Sequence, residues 1–176
     1  MKHLCWILCV MIAVTLWAAG GAPQAPAGSQ RSPGFEAMKK LVGDWEGLAD
    51  DGKPMLLTFR LISSGTALME SNSPDDAGAP MVTVYHPDGA DLIATHYCPD
   101  GDQPRMRAKI SSANAAEIRF VFQDATNAWR TGGSMMRGLT LRVPDANHLV
   151  QEWQGVENGK PSTTVMKFTR KASGAK

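Results

Sequence analysis

His96 and Cys98 stand two residues apart in a short run, 91–98, that ends at Pro99. An imidazole beside a thiol is the pair from which a nucleophile and its base are built. On a strand, alternate residues share a face, so Leu92, Ala94, His96 and Cys98 point one way and Ile93, Thr95 and Tyr97 the other. Residues i and i+2 of a strand are about 6–7 Å apart at Cα, so the two side chains can meet. The sequence offers no acid to orient the imidazole and no oxyanion element, and Pro99 leaves Cys98 near a rim. No residue is assigned a catalytic role on this basis. Metal binding is no better supported: His86, His96, Cys98 and His148 lack the short paired spacings His-x-His and Cys-x-x-Cys.

Binding is the stronger chemistry. If the His96 face points into an apolar interior, its imidazole needs a partner, either a neighbouring strand or a ligand. In the preceding run, 81–86, Met81, Thr83 and Tyr85 share a face opposite Val82, Val84 and His86. Arg105 follows Gln103-Pro104 and alternates with Met106 and Arg107. One arginine directed inward would hold a ligand carboxylate through a bidentate pair. The plainer alternative is two arginines on a solvated strand face. Trp153 reads as core or cavity wall, and its neighbour Glu152 as solvent-facing or paired with an arginine. Met55, Met69, Met81, Met106, Met135, Met136 and Met166 could line a pliant pocket or simply fill a core. The candidate ligand-binding set is His96, Arg105, Tyr85, Cys98, Trp153 and Met106.

These residues need a sheet to position them. From Gly43 onward the apolar pattern has period two, with strands expected at 43–48, 55–61, 66–71, 81–86, 91–97, 105–111, 117–123, 134–143, 148–155 and 163–170. Turn signals separate them, among them Pro87-Asp88-Gly89, Pro99-Asp100-Gly101-Asp102 and, strongest, Asn158-Gly159. Before them, Phe35, Met38, Leu41 and Val42 have the spacing of a short amphipathic helix over 34–42, suited to capping one end of the domain. The longest gap, 124–133, holds Trp129, which reads as a lid residue or, in preference, as packed against the barrel flank. Ten short strands without intervening helices predict an all-β fold: a single antiparallel up-and-down β-barrel with a short N-terminal capping helix. A two-sheet sandwich is the alternative. A barrel of this strand number can enclose a ligand.

Lys2 and His3 precede an apolar run, 4–19, and the small residues 18–22 follow, which reads as a signal peptide. The run is shorter than the roughly 20 residues of a spanning helix, and no basic cluster follows it. The expected division is a signal peptide at 1–22, a Pro/Ala/Gly/Ser-rich linker at 23–33, the barrel at 34–171 and a tail at 172–176, with a secreted or periplasmic destination. Cys5 and Cys9 fall in the leader, so Cys98 would have no disulfide partner in the mature chain. The 176 residues carry a net charge of +1 without charged blocks, which gives no electrostatic case for nucleic acid or an anionic membrane.

Gly43-Asp44-Trp45, opening the first strand after a helix, resembles the Gly-x-Trp signature of the lipocalin and fatty-acid-binding (calycin) barrels. That resemblance implies that Trp45 packs across the closed end of a barrel. Val42 with Trp45-Glu46-Gly47, Tyr85-His86-x-Asp88-Gly89, Thr95-His96-Tyr97-Cys98 and Gly101-x-Gln103-Pro104-Arg105-Met106 together look like a group of secreted bacterial lipocalin-like proteins, which brings a fold and no established activity. Gly43, Trp45 and Gly47 also match the Gly-x-Trp-x-Gly-x-Gly stretch of the haem-binding nitrobindins, with Ala49 in place of the last glycine. There the iron ligand is a late histidine, and His148 is the only late one here. The expectation is a barrel that binds a small, mostly apolar or amphipathic ligand without a cofactor. The alternatives are a haem protein or enzyme using His96 or His148, and a barrel filled by its own side chains.

Overall fold

Ser32 opens the helix that plugs the domain. Its hydroxyl accepts from the Phe35 amide at 3.3 Å and donates to the Ala90 carbonyl at 3.4 Å, so the cap is also tied to a strand turn. In this computed structural model, which describes residues 32–48, 52–74, 80–110, 116–131 and 134–172, the helix α1 is Pro33–Lys39. Proline at its start suits an end whose amide would be unpaired anyway. The helix was expected to reach residue 42; instead Lys40, Leu41 and Val42 donate to the carbonyls three residues back, and the chain tightens into turns before Gly43. The expected leader, all but the last two residues of the linker, and residues 173–176 lie outside the described residues.

Ten strands follow: β1 (Gly43–Leu48), β2 (Pro54–Ile62), β3 (Ala67–Pro74), β4 (Met81–Asp88), β5 (Asp91–Tyr97), β6 (Gln103–Lys109), β7 (Glu117–Thr126), β8 (Met135–Asp145), β9 (His148–Glu157) and β10 (Lys160–Arg170). Each pairs antiparallel with its neighbour in sequence, and β1 pairs with both β2 and β10, which closes the barrel. Closure removes the free edges that a sandwich would keep. Asn158 and Gly159 both have positive φ, 50° and 78°, as a two-residue hairpin turn of this hand requires, and β10 therefore starts at once, at Lys160 rather than 163.

The expected loop at 124–133 is shorter than its sequence suggests. Asp124 and Thr126 still pair with Arg105 and Gln103, and a single-turn helix, Ala128–Thr131, follows. Trp129 is 79 % exposed, which corrects its reading as packed against the flank.

The closed half of the barrel is filled. Phe35, Met38 and Leu41 meet Phe59, Leu68, Leu92, Leu141, Leu149 and Phe168 in one apolar cluster. Trp45 is fully buried and its indole N–H donates to the Leu41 carbonyl at 2.9 Å. The Arg170 guanidinium lies 4.1 Å from the Trp45 ring and donates to the carbonyls of Lys40, Val42 and Ala146, each at 2.8 Å. One arginine thus ties the helix and the β8–β9 turn to the end of the last strand. At Gly47 the seam between β1 and β10 has no room for a side chain: a Cβ there would run into the Lys167 carbonyl and the Phe168 ring. Gly47→Ala is expected to cost about 1–3 kcal/mol, as overpacking does, and urea unfolding midpoints will read it.

Candidate functional site

Alternation along β3, β4, β5 and β9 aims Leu68, Glu70 and Asn72, then Thr83 and Tyr85, then Leu92, Ala94 and His96, then Leu149, Gln151 and Trp153 into the barrel. Register sets their level. Glu70 lies opposite Thr83 and Thr83 opposite His96, so three polar side chains from adjacent strands form one belt. Thr83 Oγ1 is 2.9 Å from His96 Nδ1. The Tyr85 hydroxyl donates to Glu70 Oε2 at 2.6 Å. Trp153 Nε1 donates to Gln151 Oε1 at 3.1 Å, and the Trp153 ring packs on the His96 ring with centroids 4.7 Å apart.

Burial dominates the electrostatics of this belt. It raises the Glu70 carboxyl to about 7, against the opposing effect of the Tyr85 and Gln151 side chains. Burial, and then the Glu70 charge, push the Tyr85 phenol well above its ordinary range. Burial lowers His96 to about 4, so its imidazole is neutral at neutral pH. Burial, with Asp102 and Asp100 nearby, pushes the Cys98 thiol up to about 12. Cys98 is therefore a thiol and not a nucleophilic thiolate.

Between this belt and the open end lies a cavity of about 180 Å³, walled by Met55, Met81, Met136, Met166, Trp153 and Thr164, with His96 and Asn72 as its polar members. Its walls are otherwise almost wholly apolar. His96 Nε2 and Asn72 Oδ1 are buried and have no hydrogen-bond partner among the described residues. The Asn72 amide nitrogen faces only a thioether, Met166 Sδ, at 3.8 Å. Outside the cavity is a vestibule of about 350 Å³, which shares Met136 and Thr164 with it and is lined also by Cys98, Asp100, Asp102 and Glu157. Larger hollows, of about 400 and 470 Å³, lie beside Arg170 at the closed end and along Arg107 and Arg119 on the outer wall, but no lining residue there has a buried polar atom without a partner.

The structure brings together only part of the candidate set. His96 and Trp153 touch each other in the cavity wall, and Cys98 lines the vestibule. Tyr85 and Met106 are fully buried but do not line the cavity. Arg105 is the correction: it lies on the outer face, paired with Asp124 by two bonds of 2.6 Å. With Met106 inward, alternation forces Arg105 and Arg107 outward, and Arg107 pairs with Asp88 and Asp91. Neither arginine reaches a ligand inside. Glu152 faces outward and pairs with Arg142 at 2.8 Å.

A haem does not fit these residues. The His148 imidazole lies outside the barrel, 2.8 Å from Asp145, and a cavity of about 180 Å³ is below even the roughly 300 Å³ at which pockets for drug-sized ligands begin. Nor does His96 have an orienting acid; its hydrogen-bond partner is Thr83. Asn72, Thr83, Glu70, Gln151 and Thr164 escaped the sequence reading. The first four follow the period-two pattern of their inward neighbours, a signal that was present, but their meeting depends on register across strands distant in sequence.

The fold is a closed ten-stranded antiparallel up-and-down barrel with one short helix. No family model matches the chain, and no curated protein matches it in sequence. Among solved structures it is similar to a protein of unknown function from the DUF3598 family of Nostoc punctiforme, at 12% identity and a TM-score of 0.42, over 76% of this chain and 49% of that one. It is also similar to EF1p2_mFAP2b bound to DFHBI, at 10% identity and a TM-score of 0.35, over 78% of this chain and 99% of that one. The chain spans about half the length of the Nostoc protein.

Proposed function

We propose that this chain is an exported binding protein that holds one small, mostly apolar molecule in the cavity at the open end of its barrel. The observation that carries the reading is the pair of unpartnered buried polar atoms, His96 Nε2 and Asn72 Oδ1, in a cavity walled chiefly by thioethers and an indole. A buried polar atom left unpaired costs about 1–3 kcal/mol, and a ligand that lets it find a partner would recover that cost. Methionine walls adapt to irregular shapes. A cavity of about 150 Å³ suffices for benzene, so about 180 Å³ suits a single ring or a short chain. The basic start, apolar run and small residues of 1–22 support export to a periplasm or beyond.

The test is calorimetric titration of the protein with propylbenzene, with native mass spectrometry of protein from its own cells to detect a co-purifying molecule. Met136 is a partly exposed wall residue, and Met136→Trp would fill the cavity from its mouth. That variant is expected to weaken propylbenzene at least tenfold, a loss of about 1.4 kcal/mol, while remaining folded. Unchanged affinity in the folded variant would place the ligand elsewhere and end this reading.

A further inference from the structure

We infer that the ligand is a small apolar amine, its ring or chain in the methionine-walled cavity and its ammonium group among the vestibule carboxylates; this rests on the binding reading above. Among the described residues that line this route, the unpartnered buried polar atoms are His96 Nε2, Asn72 Oδ1 and Asp102 Oδ2, while Gln151 Nε2, a donor, lies in the belt behind them. The first two lie in the cavity. The Tyr85 hydroxyl gives its proton to Glu70. Thr83 Oγ1 lies 2.9 Å from His96 Nδ1, and in the tautomer in which Thr83 accepts from Nδ1–H, Nε2 is a bare acceptor facing the cavity.

The vestibule continues the pattern with charge. Asp100, Asp102 and Glu157 line it, and no lysine, arginine or histidine is among the described residues that do. Asp102 is the telling member: it is only 1 % exposed and its Oδ2 has no partner among the described residues. A buried carboxylate oxygen without a donor is costly and calls for a cation or a strong donor beside it. The two spaces share the walls Met136 and Thr164. They are also joined along β5, where His96 and Cys98 are about 7 Å apart in extended chain, the span of a ring with a short alkyl arm. An anionic end group would meet like charge at the mouth. The arginine that could have neutralised it, Arg105, is on the outer wall with Asp124.

The experiment titrates the full chain, at pH 7.5 and low salt, with three probes that each carry one phenyl ring on a short arm: 2-phenylethylamine, propylbenzene and the slightly larger 3-phenylpropanoate. The amine is expected to bind about tenfold more tightly than propylbenzene, with the acid weakest. In an Asp100→Asn, Glu157→Gln variant, both positions being exposed, the amine's advantage should shrink about threefold with propylbenzene unchanged; Asp102→Asn should remove more of it. Equal binding of amine and propylbenzene, an advantage that survives all three substitutions, or tightest binding of the acid each overturns the amine inference and leaves the apolar cavity standing. Binding of none of the three overturns both.

Discussion

Glu70→Gln is expected to raise the stability of the fold at pH 8.5 by about 3 kcal/mol. The carboxyl titrates near 7 in the fold against an ordinary 4.5, chiefly because it is buried. Between those values the folded chain holds a proton that the unfolded chain has released, so this group's contribution falls as pH rises through the window. A shift of this size corresponds to about 3 kcal/mol at roughly 1.4 kcal/mol per unit. Glutamine carries no charge and can still accept from the Tyr85 hydroxyl. His96 slopes the other way. Its pKa falls from 6.5 to about 4 on burial, so the unfolded chain takes up a proton that the fold refuses, and stability is lost as pH falls from 6.5 towards 4. The two slopes oppose each other between about 4.5 and 6.5. The native chain should therefore show little net dependence from this pair, and the Gln variant should expose the rising slope of His96. Urea-unfolding free energies at pH 5, 6.5 and 8.5 for both proteins decide it. A variant no more stable at pH 8.5, with an unchanged profile, would mean that Glu70 is solvated in solution.

Trp45→Ala is expected to cost about 3–5 kcal/mol, the range for removing a large buried aromatic. The indole fills the space between α1 and the strands, donates to the Leu41 carbonyl and carries the Arg170 guanidinium on its face. Its loss leaves a cavity and an unpaired carbonyl, and removes the platform on which Arg170 spans Lys40, Val42 and Ala146. Trp45→Phe keeps most of the packing and loses the N–H, and should cost far less. Urea midpoints of the two variants separate the contributions. If alanine and phenylalanine cost the same, volume is not what the tryptophan supplies.

The number of strands, their order and the plug were all legible in the chain, because each is a local property. Period-two alternation marks a strand wherever one face meets a core, and Asn158-Gly159 or Pro87-Asp88-Gly89 reverses the chain whatever surrounds it. His96 on the same face as Leu92 and Ala94 was readable for the same reason. Which residues His96 meets was not. Thr83 lies opposite it because of the β4–β5 register, Trp153 reaches it across the barrel from β9, and Asn72 and Met166 meet although they are 94 residues apart. Arg105 shows the limit most clearly: its residue type suits a carboxylate anchor, but Met106 occupies the inward position beside it and alternation sends the guanidinium outside to Asp124. Local chemistry and spacing determine elements and faces. Closure and register decide which faces converge, and hence that the cavity beside His96 and Asn72 is ringed by methionines, because those pairings are set by strands far apart in sequence.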